Sequence, residues 1–292
     1  MRTAPVLIAL VAALADLGAQ PRPAPGQSVV LITGATSGLG REVAQRLAAA
    51  GAHVIVHGRD SARAREVLDA IAQGGKGSAR FYAADLASNT DIRRFAGEIL
   101  RDYPRLDVLI NNAGIGSTPN ERSVTADGVE MRMQVNYLSN VLLTRLLLPR
   151  LLASAPARIV NVSSLSASPI DFDDVMIANR FSGGRAYGQS KLAQVMFTID
   201  LAAELEGKGV TVNALHPATM MPTGMVLRGG YTPRSTIDDG ARAVLHLVQD
   251  ADVGTGQFFN GLNPGRAHAQ ASDAAVRARL RELSERLVGL RP

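Results

Sequence analysis

From residue 28 onwards, short apolar runs rich in β-branched residues alternate with stretches of helical periodicity. Strands of a parallel sheet are continuous apolar runs, because helices cover both faces of such a sheet. Seven runs have this character: Val29–Thr33, His53–His57, Ala79–Ala83, Val108–Asn111, Arg158–Val162, Thr211–Leu215 and Gln257–Phe259. Within 184–208, apolar positions follow the i, i+3, i+4, i+7 spacing of an amphipathic helix: Leu192, Val195, Met196 and Ile199. The alternation predicts one α/β domain, a doubly wound, seven-stranded and mostly parallel sheet with helices on both faces.

Residues 1–27 lie outside this alternation, and we expect them to form an apolar, proline-rich N-terminal arm before a domain that spans 28–292. Ala4–Ala15 is a run of twelve apolar residues preceded by Arg2. Such a run is shorter than the roughly 20 residues that cross a bilayer. It partly fits an export signal, and it also fits a short helix packed on the domain or a loose arm.

The composition argues against several classes of binding and catalytic site. Apolar residues make up 46% and charged residues 20% of the 292 positions, which is enough for a sizeable core. The net charge is +5, but the arginines are scattered, so we expect no nucleic-acid partner. The absence of cysteine excludes disulfides and thiol nucleophiles, and the five histidines lack a metal-site spacing, so we expect no metal. Only three residues are lysine: Lys76, Lys191 and Lys208.

A glycine-rich turn follows the first predicted strand. The sequence TGATSGLG occupies residues 33–40 and leads directly into a predicted helix. Glycines let the backbone approach a pyrophosphate closely, and the start of the next helix presents free N–H groups and a positive dipole to that anion. The strand–turn–helix context therefore predicts a dinucleotide site. Its predicted members are Gly34, Thr36, Ser37, Gly38, Leu39 and Gly40.

The second predicted strand ends in the sequence HGRD at 57–60, where the adenosine ribose of a dinucleotide should lie. Enzymes that use NAD usually place an acidic acceptor for the 2′-hydroxyl there. This chain places Arg59 there instead, and Arg41 begins the helix after the glycine turn. Guanidinium groups suit a 2′-phosphate, so we expect NADP(H) rather than NAD(H). The alternative is that both arginines are solvated surface groups, and we expect the neighbouring Asp60 to cap a helix.

Tyr187 and Lys191 lie four residues apart at the start of a predicted amphipathic helix, so they share one helix face. A free tyrosine has a pKa near 10, and a fixed cation nearby favours the phenolate and lowers that pKa. The pair could therefore pass a proton to or from a substrate oxygen. A compact ammonium reaches a phenolate and ribose hydroxyls where a guanidinium fits badly. The use of lysine at 191, in a chain that otherwise favours arginine, therefore supports a functional role. An ordinary surface pair is the alternative.

Two more predicted strands end in polar residues, at the sheet edge where ligands of parallel sheets bind. The sequence NVSS at 161–164 closes the fifth strand, and a serine hydroxyl there could hold a carbonyl oxygen. The sequence NNAG at 111–114 closes the fourth strand. Each motif alone is also typical of a turn.

In combination, the motifs resemble the short-chain dehydrogenase/reductase family, and within it the retinol-dehydrogenase-like and related bacterial members. The resemblance covers residues 28–270 through motifs in order: TGATSGLG (33–40), DL (85–86), NNAG (111–114), VNY around Asn136, VSS ending at Ser164, YGQSK (187–191) and HP (216–217). It implies a Rossmann-type sheet and hydride transfer between NAD(P)(H) and an alcohol/carbonyl pair; with the arginines above and the apolar loop residues below, we expect NADP(H) and an apolar substrate. Residues 28–292 would then be the cofactor-binding catalytic domain of a cytoplasmic enzyme.

The resemblance also implies roles for single residues. Tyr187 would be the general acid/base, and Lys191 would bind the nicotinamide ribose and depress the pKa of Tyr187. Ser164 would orient and polarise the substrate oxygen, and Asn136 would hold a water of the proton relay. Asn112 would pack near the adenosine ribose. Further cofactor contacts are implied for Asp85, Leu86, Ala113, Gly114, Pro217 and Thr219.

Two segments would border the substrate: an insert at 165–186 and a loop at 217–235. The family's threonine next to the cofactor carboxamide is displaced here, and Thr219 and Thr223 bracket its place. Apolar side chains of both segments fit either a substrate pocket or a small core under a loop: Phe172, Met176, Ile177, Phe181, Met220, Met221 and Met225. The acidic residues of the insert fit solvated or capping positions: Asp171, Asp173 and Asp174.

Other functions remain open. A non-catalytic NADP-binding sensor or scaffold would need no complete set of Asn136, Ser164, Tyr187 and Lys191, which argues against it. A membrane-attached enzyme would be held by Ala4–Ala15. The apolar stretch Val141–Leu152 fits a buried helix or a subunit interface, and a homo-oligomer is implied only by the resemblance.

Overall fold

Strands and helices alternate along the chain and build one sheet between two layers of helices. The computed structural model describes residues 20–290, so the predicted run Ala4–Ala15 lies outside the described residues. The strands are β1 (Val29–Ile32), β2 (His53–Gly58), β3 (Ser78–Ala83), β4 (Val108–Asn111), β5 (Ala157–Val162), β6 (Val210–His216), β7 (Phe258–Asn260) and β8 (Asn263–Pro264). The helices are α1 (Gly38–Ala49), α2 (Ser61–Gly74), α3 (Asn89–Asp102), α4 (Ser139–Ala153), α5 (Gly183–Glu204), α6 (Gly224–Arg228), α7 (Ile237–Gln249) and α8 (Ala274–Leu287). A π-helical segment, Met133–Leu138, leads into α4, and a 3₁₀ turn, Ala269–Ser272, precedes α8.

The strand order is β3-β2-β1-β4-β5-β6-β7-β8, and every pair from β3 to β7 is parallel. The chain builds outward from β1 to β3 and then returns to the other side of β1 to place β4. In such sheets the direction changes at a switch point, and the carboxyl ends of the flanking strands leave a crevice there. This topology confirms the predicted doubly wound α/β fold and places the glycine turn beside the end of β4.

All seven predicted strands are present, and each end lies within one residue of the prediction. The predicted strand count was wrong by one, because β8 adds a two-residue antiparallel partner to β7. Asn263 and Pro264 are exposed and carry no apolar run, so hydrophobic patterning gave no signal for this strand.

Apolar side chains of the two sheet faces form two separate core clusters. One face packs against α3, α4, α5 and α8, and the other against α1, α2 and α7. Burial on both faces explains why the strands are continuous apolar runs. No helix within residues 20–290 combines the length and the apolar character needed to cross a membrane.

The apolar stretch Val141–Leu152 lies in α4 and is mostly buried within the chain itself. The C-terminal helix α8 packs beside α5 and the π-helical segment. Asp200 of α5 accepts hydrogen bonds from Arg277 and Arg281 of α8, at 2.7 and 2.8 Å. Tyr137 in the π-helical segment is hydrogen-bonded to Ser284 of α8 at 2.8 Å. Helix α8 therefore covers part of the face formed by α5 and the π-helical segment.

Candidate active site

The glycine turn between β1 and α1 is shaped by close backbone contacts. Gly34 and Gly38 have φ angles of +66° and +54°, a region that L side chains rarely adopt. A Cβ added to Gly40 would collide with the Gly34 carbonyl oxygen and with Asn112 Nδ2. Ser37 precedes α1 without making a side-chain cap, so the first N–H groups of α1 receive no side-chain acceptor from it. This is the geometry of an anion site at a helix N-terminus.

Residues at the end of β4 brace this turn. Asn112 Nδ2 donates to the carbonyl oxygens of Thr33 and Gly34, at 2.8 and 3.3 Å. Thr33 Oγ1 accepts the backbone N–H groups of Asn112 and Ala113, both at 3.0 Å. The structure thus places the Asn112 side chain on the phosphate turn itself. The turn is held rigid from β4 across the switch point.

The predicted cofactor residues of the turn differ in what they can offer a ligand. Thr36 packs against Gly58 at the end of β2, and Leu39 is buried in the core beneath α1. Their side chains therefore face the protein, which leaves their backbone groups for a dinucleotide. Ser37 is exposed.

His57 contacts the phosphate turn, and the sequence did not predict this role. Its buried ring accepts the Gly34 N–H through Nδ1 at 3.2 Å and bonds the Ala84 carbonyl oxygen through Nε2 at the same distance. Burial lowers the pKa of His57 to about 4, so the ring is neutral at physiological pH. The ring links the phosphate turn to the end of β3. A histidine inside an otherwise apolar strand was the available signal.

The two predicted 2′-phosphate ligands lie on different elements: Arg59 follows β2, and Arg41 lies in the first turn of α1. The Arg59 side chain is 72% exposed and lies 3.8 Å from Asp85. Arg41 forms an ion pair with Glu66 at 3.0 Å. Asp60 accepts the Arg63 N–H and caps α2, as predicted. Both guanidinium groups are partnered by exposed carboxylates that an incoming phosphate could replace.

Helix α5 carries Tyr187 and Lys191 one turn apart, after Ser182 caps its start. Lys191 Nζ lies 5.7 Å from the centroid of the Tyr187 ring. It donates hydrogen bonds to the Val162 carbonyl oxygen at 2.8 Å and to Gln194 Oε1 at 2.9 Å. Burial lowers the pKa of Lys191 to about 7. Gln194 was not among the predicted site residues, because no motif includes it.

The pKa of Tyr187 is raised by burial and is lowered in part by a hydrogen bond with the Ser164 side chain. The predicted lowering of this pKa by Lys191 is not seen. The reason is that burial disfavours the charged phenolate and is the larger effect. The two serines after β5 are clearly separated: Ser163 donates to the Lys191 carbonyl oxygen, whereas Ser164 contacts Tyr187.

Asn136 lies in the π-helical segment and is fully buried. Its Oδ1 accepts the Ile115 N–H at 2.8 Å, and its Nδ2 donates to the Ile115 carbonyl oxygen and to Ser190 Oγ. Ser190 Oγ in turn donates to the Tyr187 carbonyl oxygen at 2.7 Å. The side chain therefore ties the segment after β4 to α5, and its polar atoms are already engaged with protein groups.

The loop after β6 reaches the glycine turn. Pro217 is buried, and exposed Thr219 turns its hydroxyl toward His216 at 3.0 Å. Thr223 lies against the phosphate turn, because a Cβ added to Gly38 would come within 3.1 Å of its methyl group. Of the two threonines that the sequence left open, Thr223 is the one beside the glycine turn.

The same loop meets the segment after β4. Met225 packs against Gly116, and the Tyr231 hydroxyl is hydrogen-bonded to the Ser117 hydroxyl at 3.1 Å. A buried ion pair that the sequence analysis missed, Arg132 with Glu130, holds this segment in place. A run of mixed charges gave no sign that one pair is buried.

Apolar residues of the insert pack mainly against the protein itself. Ile177 is buried, Phe172 stacks on Arg279 at 4.7 Å, and Phe181 lies 5.4 Å from the Arg132 guanidinium. Asp174 caps a turn by accepting the N–H groups of 178 and 179. The insert therefore forms a small core, one of the two alternatives from the sequence, and the substrate pocket stays a prediction.

Comparison with known proteins places this architecture. Residues 28–229 match the family model described as short chain dehydrogenase. Human retinol dehydrogenase 13 is 39% identical over 291 residues, which cover 91% of this chain and 86% of that protein. Mouse retinol dehydrogenase 14 is 38% identical over 288 residues, which cover 89% and 86% of the two chains.

Solved structures agree with these sequence comparisons. An uncharacterised protein from Mycobacterium paratuberculosis has a TM-score of 0.75 at 32% identity, over 94% of this chain and 97% of that chain. A metagenomic short-chain oxidoreductase in complex with NADP has a TM-score of 0.63 at 28% identity, over 78% and 93% of the two chains.

Proposed function

The chain belongs to the short-chain dehydrogenase/reductase family of oxidoreductases, and on that premise we propose that it is an NADP(H)-dependent alcohol dehydrogenase or carbonyl reductase. One observation carries the proposal: Ser164, Tyr187 and Lys191 meet at the carboxyl edge of the sheet, with strand β4 between them and the glycine turn. A dinucleotide laid across the switch point would reach from that turn to these side chains.

The residues of the crevice fit a dinucleotide. Gly34, Gly38 and Gly40 leave the backbone bare where a pyrophosphate would approach, and the start of α1 offers N–H groups to it. Asp85 and Leu86 would border the adenine, and Ala113 and Gly114 would border the adenosine and nicotinamide riboses. Pro217 and the 219–223 segment would close over the nicotinamide. When bound, the nicotinamide would supply or accept the hydride.

The preference for NADP(H) over NAD(H) rests on Arg59 and Arg41. Arg59 follows β2, where a 2′-phosphate would sit, Arg41 lies in the first turn of α1, and the carboxylates paired with them are exposed. Exchange of such a surface partner for a phosphate costs little, since exposed ion pairs contribute about 0–1 kcal/mol. Solved relatives that carry NADP or NADPH point the same way.

In this proposal the proton moves at Tyr187 Oη. During alcohol oxidation the phenolate takes the hydroxyl proton of the substrate, and during carbonyl reduction the phenol donates a proton to the carbonyl oxygen. The Ser164 hydroxyl would donate to the same substrate oxygen. The Lys191 ammonium would favour the phenolate and bind ribose hydroxyls. Asn136 would keep α5 and the segment after β4 in register. We also propose that it holds a water of the proton relay.

We expect an apolar substrate. Met225, exposed Leu165 and exposed Tyr231 lie on the segments that surround Ser164 and the loop after β6. Because similar proteins are retinol dehydrogenases, retinol and long-chain apolar alcohols with their aldehydes are the compounds to test first. We expect the enzyme to act in the cytoplasm, with 1–27 as an arm outside the catalytic domain 28–292. Partition of the full chain into membranes, lost on removal of 1–25, would contradict that location.

The test combines binding with turnover. Fluorescence titration should give tight binding of NADPH and weak binding of NADH, and Arg59→Ala should narrow that difference. Tyr187→Phe should retain NADPH binding and lose about 10²–10⁴-fold in turnover, as expected on removal of a general acid/base. Full turnover by Tyr187→Phe would overturn the mechanism. Binding of NADPH without turnover of any apolar alcohol or carbonyl compound would favour a sensor or scaffold.

A further inference from the structure

Gln194 extends the stripe of helix α5 that carries the proposed proton-transfer pair. Tyr187, Lys191 and Gln194 follow the i, i+4, i+7 spacing, so they lie on one face of the helix. Gln194 is fully buried and Lys191 is 3% exposed. Gln194 Oε1 accepts a hydrogen bond from Lys191 Nζ at 2.9 Å, and the Val162 carbonyl oxygen accepts another at 2.8 Å.

Both acceptors are neutral, although a buried ammonium is usually paired with a carboxylate. Burial alone shifts the pKa of Lys191, and no charged group in residues 20–290 contributes to that shift. The ionisable group that faces Nζ is the Tyr187 phenol on the same helix. Strand β5 supplies only the Val162 carbonyl, and the segment after β4 supplies Gly114 beside the amine. A carboxylate in place of the Gln194 amide would hold the ammonium more tightly and would cancel its effect on the phenol.

The amide nitrogen of Gln194 makes no contact that stabilises the described part of the fold. Its Nε2 is buried without a hydrogen-bond partner in the described part of the chain. A buried donor without an acceptor destabilises the folded state. The Gln194 amide therefore has one hydrogen-bonded end, its Oε1 on Lys191, and one buried end that costs folding stability.

We propose that Gln194 is a positioning residue, whose amide oxygen keeps the buried Lys191 ammonium charged and in place without neutralising it, so that the cation remains available to Tyr187 and to a bound cofactor. The inference rests on the proposed function, in which Tyr187 transfers the proton. Gln194 itself touches neither substrate nor reacting atoms.

Three substitutions separate this role from simple packing. Gln194→Glu should raise the pKa of Lys191 by more than one unit and offset its charge at Tyr187. Alcohol oxidation, which needs the phenolate, should then fall about tenfold for each unit that the tyrosine pKa rises, whereas carbonyl reduction should fall less. Gln194→Met should lower the pKa of Lys191 below about 7, since it removes one of two acceptors. Gln194→Asn keeps a neutral oxygen and should restore part of the wild-type behaviour.

The scarcity of lysine allows a direct measurement. In protein labelled at lysine ¹³Cε, NMR should show three lysine signals, with Lys76 and Lys208 as exposed references. Lys191→Arg assigns the third signal by its loss. A matched control is Gln189→Met, because Gln189 is buried on the same helix but bonds to Asp171 and Val175 in the insert. The Lys191 titration should move up in Gln194→Glu, move down in Gln194→Met and stay unchanged in Gln189→Met.

Each result decides the question. An unchanged Lys191 titration in both Gln194→Glu and Gln194→Met would overturn the proposal. A shifted titration with unaltered pH profiles of oxidation and reduction would overturn the role in catalysis. If the wild-type chain has no turnover, the proposed function fails separately, since the titration needs neither substrate nor cofactor. It would still decide whether Gln194 sets the charge of Lys191.

Discussion

At the scale of single residues, Gly40 shows how one missing side chain shapes the cofactor crevice. A Cβ there would collide with the Gly34 carbonyl oxygen and with Asn112 Nδ2, which donates to that same oxygen. Gly40→Ala should therefore push the phosphate turn away from the end of β4. We expect destabilisation of about 1–3 kcal/mol and a loss of more than tenfold in NADPH affinity. Urea unfolding and fluorescence titration would measure the two effects.

A matched control for that experiment is Gly97→Ala. Gly97 lies in the interior of α3, and a Cβ there would meet open space. Alanine is preferred over glycine inside a helix by up to about 1 kcal/mol, so this variant should be slightly more stable and should bind NADPH normally. Wild-type affinity in Gly40→Ala would show that the turn does not hold the cofactor.

At the scale of elements, the buried Arg132–Glu130 pair joins the π-helical segment to the segment after β4. The Arg132 guanidinium bonds to Glu130 at 3.2 Å and donates to the carbonyl oxygens of Gly116, Ser117 and Pro119. Glu130→Gln would leave a buried guanidinium without its counter-charge, at a cost of about 3–5 kcal/mol. Because this segment carries Ser117 and meets Tyr231, we expect a higher KM for substrate and an unchanged Kd for NADPH.

Thermal melts and steady-state kinetics would measure that outcome. Glu98→Gln is the control, because Glu98 pairs with Arg94 at i, i+4 on the exposed side of α3. Exposed pairs of this kind contribute about 0.3–0.5 kcal/mol, so its melting temperature should barely change. Equal effects of the two substitutions would mean that the buried pair does not organise the substrate side.

The elements also show what a sequence can and cannot predict here. The strands were predictable within one residue because helices cover both faces, which leaves continuous apolar runs bounded by polar turns. Strand β8 was not predictable, since Asn263 and Pro264 carry no apolar run and pair with β7 because a tight turn brings them back to it. His57, Arg132 and Gln194 escaped for a different reason. Their partners are backbone carbonyls, a backbone N–H or a side chain defined by the folded geometry, and no spacing along the chain encodes such contacts.

At the scale of the whole molecule, every proposed catalytic group depends on packing between elements that are distant in sequence. Asn136 ties the end of β4 to α5, and its neighbour Tyr137 is held by α8 at the end of the chain. Buried amides at the ends of β4 and β5 bond to each other, Asn111 to Asn161 at 2.8 Å. The site is therefore assembled by the complete domain, and its stability follows that of the fold.

Acid should weaken this fold through two buried histidines. Burial lowers the pKa values of both His53 and His57 to about 4. The unfolded chain titrates near 6.5, so between these values the unfolded state binds more protons than the folded state. The stabilisation is complete above about pH 6.5 and is lost as the pH falls toward 4, by at most about 3 kcal/mol for each histidine. We expect the free energy of unfolding to decline over this window.

Replacement of His57 by asparagine isolates its share of that decline. His57→Asn retains an acceptor for the Gly34 N–H but cannot be protonated in this range, so the variant should lose about half of the slope between pH 6.5 and 4. His268→Asn, at an exposed histidine, should keep the wild-type slope. Urea unfolding at a series of pH values gives the slopes directly. A slope that is the same in wild type and His57→Asn would mean that His57 carries a proton in the folded chain, and its contact with the phosphate turn would then need a different explanation.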